Sequence, residues 1–490
     1  MSLGLRDPSS PSTGRQKVVV EFSSPNIVSD FHARHLRSTI LGAHIANIYE
    51  SMGWDVVRIN YLGDWGLHIG LFGAGWSRFG SEEKLKQDPI GHVLEVRNEV
   101  DKLFKVELDL RKDKSHVRRD SAGAADMEAQ GLFAERDAFF KRMEEKEGDA
   151  YSLWKQIREI SVEHYTALYK RLNVSFDEYS GESVISAESM GEVEEMLKKR
   201  DLCEERDGSL VIDFSKHGMK SGLGTIRKHG SSTYFLRDLA AILSRLRTYN
   251  FDKMIYIVSA DQEPHFKKLF KTINLLEDEF PGLSARLQHV QFNKVSNMSD
   301  TPLGDILDEA QQSMKTSLEE HPDEAVLLGS LEEVAEAMGI TALIAQELIA
   351  RRTNEHIFDI KKMTSFTPGT GPFLQYSYAR LQAVLAESPD ELDGMDLSNL
   401  CLEKGKDNSG PYTELLRMLV QYPEATAAAY KTLDQHQLMA YLKSMTTLLA
   451  SCFECQEGAR FTTDQKAMLE ATKQVLENGM AVLGMKPLAR

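Results

Sequence analysis

With four cysteines in 490 residues, the chain cannot carry a disulfide framework, and so sparse a supply fits a reducing compartment. Cys452-Phe453-Glu454-Cys455 has CxxC spacing, yet no second pair follows it, so no metal site is expected. Long apolar runs are missing as well. Nothing approaches the ~20 residues of a membrane span, which excludes a membrane role. Residues 1–16 are polar and rich in Pro and Ser, and read as a flexible leader and not a signal peptide. A cytoplasmic location is expected. Positive charge is also short: 58 Lys and Arg stand against 74 Asp and Glu, a net charge of −16. That balance argues against a general polyanion binder and against DNA, but leaves room for a nucleic acid gripped by a local basic surface. Clusters occur at Arg111-Lys112-Asp113-Lys114 with Arg118-Arg119, at Arg351-Arg352 and at Lys361-Lys362. Such clusters are more often solvated faces than nucleic-acid sites.

Hydrophobic content of 42% and charged content of 27% are those of a globular protein long enough for two or three domains. Residues 17–345 alternate strand-like runs (18–22, 55–60, 253–258) with helical ones such as 238–249. This alternation predicts an α/β doubly wound parallel sheet, Rossmann-like, with ligands at the carboxyl ends of its strands. The stretch from about 78 to 170 is charged and poor in strands, and reads as a helical insertion in that sheet. From 350 to 490 no strand pattern is expected. Helical periodicity over 371–387, 411–421, 433–453 and 463–483 predicts an all-helical domain.

The most informative run is Ser24-Pro25-Asn26, followed by His32-Ala33-Arg34-His35 ahead of an apolar helix. A helix N-terminus presents free N–H groups and a positive dipole end, a natural seat for phosphates. Two imidazoles beside it add groups able to stabilise developing charge. This run resembles the HxGH motif of class I aminoacyl-tRNA synthetases in its arginyl version, except that Arg34 stands where the family has glycine. Glycine leaves room for adenine to lie on the backbone, and an arginine side chain would fill that room.

Further runs carry the same resemblance from Lys17 to Arg490: Asn60-Tyr61-Leu62-Gly63-Asp64-Trp65-Gly66, Asp177 to Ser183, Thr233 to Leu239, Gly371 to Tyr376, and Val482 to Leu488. Gly371 to Tyr376 matches the opening of a family helix, and the helical tail ending in Val482 to Leu488 resembles the family's anticodon-binding (DALR) domain. The resemblance implies an arginine pocket of Asn26, Glu182, Tyr234, Asp238 and Gln262. Carboxylates suit the rigid fork of a guanidinium, and Tyr234 and Asp238 at i, i+4 share a helix face.

Two departures accompany Arg34. The family's signature loop carries an Arg-Lys pair; here Met298 and Ser299 survive, the pair is missing, and Asp300 puts an acid where a base is wanted. The family's extra N-terminal tRNA-binding domain has no counterpart before residue 17. Arg34 and the altered signature loop imply loss of ATP-dependent activation, so that no ATP and no other cofactor is expected, while the difference at the start implies weakened tRNA recognition. They make the chain look like the fungal arginine-containing cyclodipeptide synthases, which imply arginyl-tRNA and a second aminoacyl-tRNA as partners and a cyclo(Arg-Xaa) diketopiperazine, a secondary metabolite, as product. In that reading His32 and His35 transfer protons or polarise the ester, and Arg34 stacks on the terminal adenosine. Two other readings stand beside it: an arginyl-tRNA synthetase with unusual motifs that charges tRNA with ATP, and a non-catalytic arginine or tRNA binder.

Overall fold

Val18, Val19 and Val20 are wholly buried, as β-branched residues are when a strand is covered on both faces of a parallel sheet. The computed structural model describes residues 14–117, 131–220, 222–228, 231–293, 295–296, 301–322, 331–386, 410–455 and 461–488. In chain order the strands are β1 (Lys17–Glu21), β2 (Asp55–Leu62), β3 (Glu178–Gly181), β4 (Glu204–Arg206), β5 (Ser209–Asp213), β6 (Leu223–Lys228), β7 (Ser231–Ser232), β8 (Lys253–Ser259), β9 (Leu287–Phe292), β10 (Val295–Ser296) and β11 (His356–Ile357). The main sheet has the order β3-β2-β1-β8-β9, and every neighbouring pair is parallel. Strand order therefore reverses at β1, so the crevice at the carboxyl ends of β1 and β8 is where a doubly wound sheet places its ligand.

Helix α1 (Ala33–Ser51) makes the β1-to-β2 crossover. It is buried almost all round, including the polar residues Arg37, Ser38, Thr39 and His44. Helix α2 (Leu67–Phe79), the helices Pro89–Val117 and Gly131–Glu144, and helix α3 (Gly148–Arg171) fill the stretch between β2 and β3. After β3 the chain forms a second, antiparallel sheet, β4-β5-β6-β7, and then helix α4 (Tyr234–Tyr249) returns it to β8. The sequence reading had no place for this second sheet. Its first strand is Glu204-Glu205-Arg206, largely exposed, and so lacks the apolar alternation that marks a strand.

Helix α5 (Leu331–Ile349) leads to β11, a strand in the region where none was expected. Two residues are too few to make a pattern, and β11 exists because β10 offers it a parallel partner, Val295 to His356 and Ser296 to Ile357. The remainder is helical: α6 (Gly371–Ala386), α7 (Pro411–Thr432), α8 (His436–Glu454) and α9 (Thr463–Val482). Thr462 and Gln465 form a reciprocal capping box that fixes the start of α9. Helix α7 was expected to stop before Pro423, but it runs through that proline, which removes one ladder hydrogen bond. Tyr422 and Thr426 beside it are buried, so packing carries the helix across the break.

One apolar core runs from Val18 to Met485 and joins the sheet to the helical tail. Across that junction the buried ring of His44 donates from Nδ1 to the Val482 carbonyl at 3.2 Å, and the Tyr49 ring meets Tyr430 edge-on at 5.0 Å. Cys452 is buried and Cys455 exposed at the end of α8, and among the described residues no cluster of His, Cys, Asp and Glu is arranged to hold a metal ion. No described helix is long and apolar enough to cross a membrane.

Candidate active site

The turn leaving β1 is forced into unusual backbone geometry. Ser23, Ser24 and Val28 have φ of 73°, 51° and 55°, a region that β-branched residues such as Val28 avoid. Tertiary contacts hold it there. From α3, the Tyr165 hydroxyl donates to the carbonyls of Asn26 and Ser29 at 2.7 and 2.8 Å, and the Tyr169 hydroxyl meets Ser23 Oγ at 2.7 Å. Asn60, at the end of β2, donates to the Tyr169 hydroxyl at 3.0 Å and accepts from the Ser24 amide at 3.2 Å. Asn26 is thereby laid against Gly63, where a Cβ would collide with its side-chain amide.

Glu182 is placed by a second buried lock. Asp64 is fully buried and accepts from the Ser183 amide (2.9 Å), the Ser183 hydroxyl (2.7 Å) and Arg158 Nε (2.7 Å). The Asp64 carboxylate occupies the space a Cβ at Gly181 would need, so glycine precedes Glu182 for a steric reason. Glu182 pairs with Arg237 at 2.9 Å. Burial pushes its carboxyl up to about 7, against the opposing pull of Arg237.

Helix α4 supplies Tyr234 and Asp238. Asp238 pairs with His265 Nε2 at 2.7 Å, and the Tyr234 ring, 64% exposed, lies 5.1 Å from the His265 ring. Gln262 closes the short 3₁₀ turn after β8. Asn26, Glu182, Tyr234, Asp238 and Gln262 all line one cavity of about 490 Å³ at the carboxyl ends of β1, β2, β3 and β8.

The floor of that cavity contains groups that the sequence reading missed. Glu21 and Arg245, both buried, form an ion pair at 2.5 Å. The Arg245 guanidinium lies 4.7 Å above the Tyr61 ring and 5.9 Å from that of Tyr256. Burial raises the Glu21 carboxyl even though Arg245 opposes it. Burial likewise works against the charge on Arg245, but Glu21 and the two tyrosines outweigh it. The one visible signal was an arginine seven residues after Asp238, in register with the apolar face of α4.

His32 and His35 are not among the residues lining this cavity; they stand at the other end of the same loop, at the start of α1. His32 is the N-cap, bridges to Pro302, and has a buried Nδ1 without a hydrogen-bond partner among the described residues. The His35 ring stacks on Phe31 with 5.4 Å between centroids. The backbone of Arg34 lies in the first turn of α1, while its side chain, together with Met298, Ser299 and Asp300, lies outside the described residues. The arrangement offers an anionic pocket for a cationic side chain and, at the head of a helix, N–H groups and imidazoles for a phosphate.

Residues 5–360 match the family described as tRNA synthetases class I (R), catalytic domain, and residues 374–490 match the DALR anticodon binding domain. The mitochondrial arginine–tRNA ligase of Saccharomyces cerevisiae is 35% identical over 493 residues, covering 98% of this chain and 73% of the yeast protein. The cytoplasmic arginine–tRNA ligase of the same yeast is 35% identical over 489 residues, 97% of this chain and 76% of that one. Among solved structures, the arginyl-tRNA synthetase of Plasmodium falciparum superposes with a TM-score of 0.79 at 21% identity over 98% of this chain and 78% of its own. That of Thermus thermophilus gives 0.74 at 19% identity, over 99% and 84%. At those identities the two structures speak for the fold.

Proposed function

We propose, since the chain belongs to the class I arginyl-tRNA synthetase family, that it activates arginine with ATP and transfers it to tRNA. The observation that carries this reading is the single cavity shared by Asn26, Glu182, Tyr234, Asp238 and Gln262, at the switch point of the sheet and on the loop that leads to His32 and His35. Glu182 and Asp238 take the guanidinium of arginine, with Tyr234 beside it. Asn26 and Gln262 hold the α-amino and carboxylate end. The arginine carboxylate attacks the α-phosphorus of ATP, giving arginyl-adenylate and pyrophosphate. A ribose hydroxyl at the tRNA terminus then attacks the acyl carbon and releases AMP. His32 and His35 and the N–H groups at the head of α1 stabilise the charge that builds on the phosphates. The unpartnered Nδ1 of His32 fits that task. The helical domain over 374–490 takes the anticodon end of tRNA.

The cyclodipeptide synthase expected from the departures at Arg34 and Asp300 is corrected by these relatives. Near full-length identity of 35% to arginine–tRNA ligases overturns the diketopiperazine product, its place in secondary metabolism and the dispensability of ATP. Nothing in the comparisons calls for a second aminoacyl-tRNA. Among the relatives, arginine–tRNA ligases named as cytoplasmic and as mitochondrial both occur. We read Arg34 as a modifier of ATP affinity, since it stands where a glycine would leave room for adenine against the backbone.

The test is arginine-dependent exchange of labelled pyrophosphate into ATP, followed by ATP-dependent acylation of tRNA. Arginine is expected to support both, and lysine neither. Failure to form an arginyl ester on tRNA with ATP present would overturn the reading. Arg34→Gly is expected to lower KM for ATP several-fold.

A further inference from the structure

Two residues after His35, α1 carries an arginine whose side chain turns away from the arginine cavity. Arg37 is 1% exposed. Its Nη2 donates to the carbonyls of Arg351, Arg352 and Asn354 at 3.1, 3.2 and 3.1 Å, and its Nη1 meets His356 Nδ1 at 2.8 Å. The other ring nitrogen of His356 meets Glu347 Oε1 at 3.0 Å, and Glu347 is itself 1% exposed. A guanidinium only donates, so His356 accepts at Nδ1 and carries its proton on Nε2, toward Glu347. Burial lowers the pKa of Arg37, while Glu347 and Asp434 favour its charge.

The segment held in this way is also held from the opposite side. The Asn293 amide, just beyond β9, donates to the Arg352 carbonyl at 3.0 Å, so that one oxygen is shared by Arg37 and Asn293. Asn293 Nδ2 donates to the Thr353 carbonyl at 2.6 Å, and Arg352 Nη1 to the Gln291 carbonyl at 2.6 Å. His356 then pairs through its backbone with Val295 of β10, the strand that runs directly into the Met298-Ser299 signature segment.

We propose that Arg37, with His356 and Glu347, is a positioning device that fixes the helix bearing His32 and His35 relative to the β9–β10 strand that feeds the signature segment. It touches no substrate and acts by holding 351–357 as a common anchor for both elements. A buried charge with four acceptors tolerates little displacement, because any shift leaves a cation unsolvated. A neutral core contact of the same size would permit such sliding. The inference rests on the proposed ATP-dependent activation for its kinetic consequence and on geometry alone for its structural one.

The experiment compares wild type, Arg37→Gln and His356→Asn by pyrophosphate exchange and by hydrogen exchange read peptide by peptide. For both variants kcat for exchange is expected to fall at least ten-fold, while KM for arginine stays within about two-fold. Amides of 291–296 and 351–357 are expected to exchange faster, with those of β1 and β8 unchanged. Unaltered kinetics and unaltered protection would overturn the proposal. If Arg37→Gln loses protection throughout the chain, the role of Arg37 is read from His356→Asn, in which protection of 351–357 equal to wild type would overturn it. If wild type itself forms no arginyl ester on tRNA with ATP present, the activation reading fails, and the protection pattern still decides the clamp.

Discussion

Glu182 Oε2 accepts from Arg237 Nη1 at 2.9 Å, so a carboxylate that lines the cavity already faces a guanidinium of the protein itself. Burial favours its neutral form up to a pH of about 7, and Arg237 favours its charged form. A guanidinium needs the charged form. KM for arginine is therefore expected to fall as pH rises through about 7. In Arg237→Gln the lost cation moves the midpoint of that fall upward and raises KM at neutral pH several-fold. Measuring KM for arginine between pH 6 and 9 in both proteins checks this. A flat profile would remove Glu182 from arginine recognition.

Asp64 holds Glu182 in place without lining the cavity. Asp64→Asn removes the charge that pairs with Arg158 at 2.7 Å in a fully buried position. A loss of about 3 kcal/mol of stability is expected from breaking a buried pair on one side. KM for arginine should rise about ten-fold as Glu182 loosens. Denaturant titration and steady-state kinetics test the two parts separately, and stability loss with unchanged KM would sink the positioning role.

Tyr169 is the keystone of the turn after β1, bonded to Ser23 at 2.7 Å and to Asn60 at 3.0 Å. Tyr169→Phe leaves the Asn60 amide and the Ser23 hydroxyl short of a buried partner, at a cost of about 1–3 kcal/mol. Because Ser23 and Ser24 hold left-handed φ only while restrained, KM for ATP and for arginine are both expected to worsen. Equilibrium unfolding with kinetics on the same preparation measures both effects.

His44 links stability to acid. Burial lowers its pKa from 6.5 to about 4, so the folded chain holds it neutral where an unfolded chain would protonate it. The unfolded state then binds more protons between those values. Stability from this residue is complete above pH 6.5 and is lost as pH falls toward 4, by about 3 kcal/mol at most. His44→Asn keeps an N–H for the Val482 carbonyl and cannot titrate. Its denaturant midpoint should change less across that window than that of wild type, and parallel curves would show that His44 carries none of the acid sensitivity.

The parallel sheet was legible because its strands are short β-branched runs such as 18–22 and 253–258, and five residues that line one cavity because they fall in compact motifs, Tyr234 and Asp238 one helical turn apart. The floor of the cavity was not legible. Glu21 and Arg245 belong to different elements, and only the fold tells that they form a pair. The antiparallel sheet escaped because Glu204-Glu205-Arg206 looks like surface, and β11 because a two-residue strand has no period. The largest error came from chemistry. Arg34 and Asp300 were read as abolishing ATP activation, but residue type alone does not say where a long side chain points, and a near full-length likeness to ATP-using ligases weighs more.

Helix α1 reaches from the loop at His32 to the helical tail at Val482 and Tyr430, and is buried along nearly its whole length. The two halves therefore are not interchangeable modules. A relative's tail grafted onto this catalytic half would meet a helix face shaped for another partner, and an amino-acid change that adapts α1 to a new tail falls on the same helix as His32 and His35. Drift in the helical tail is thus held in check by the half that carries the parallel sheet.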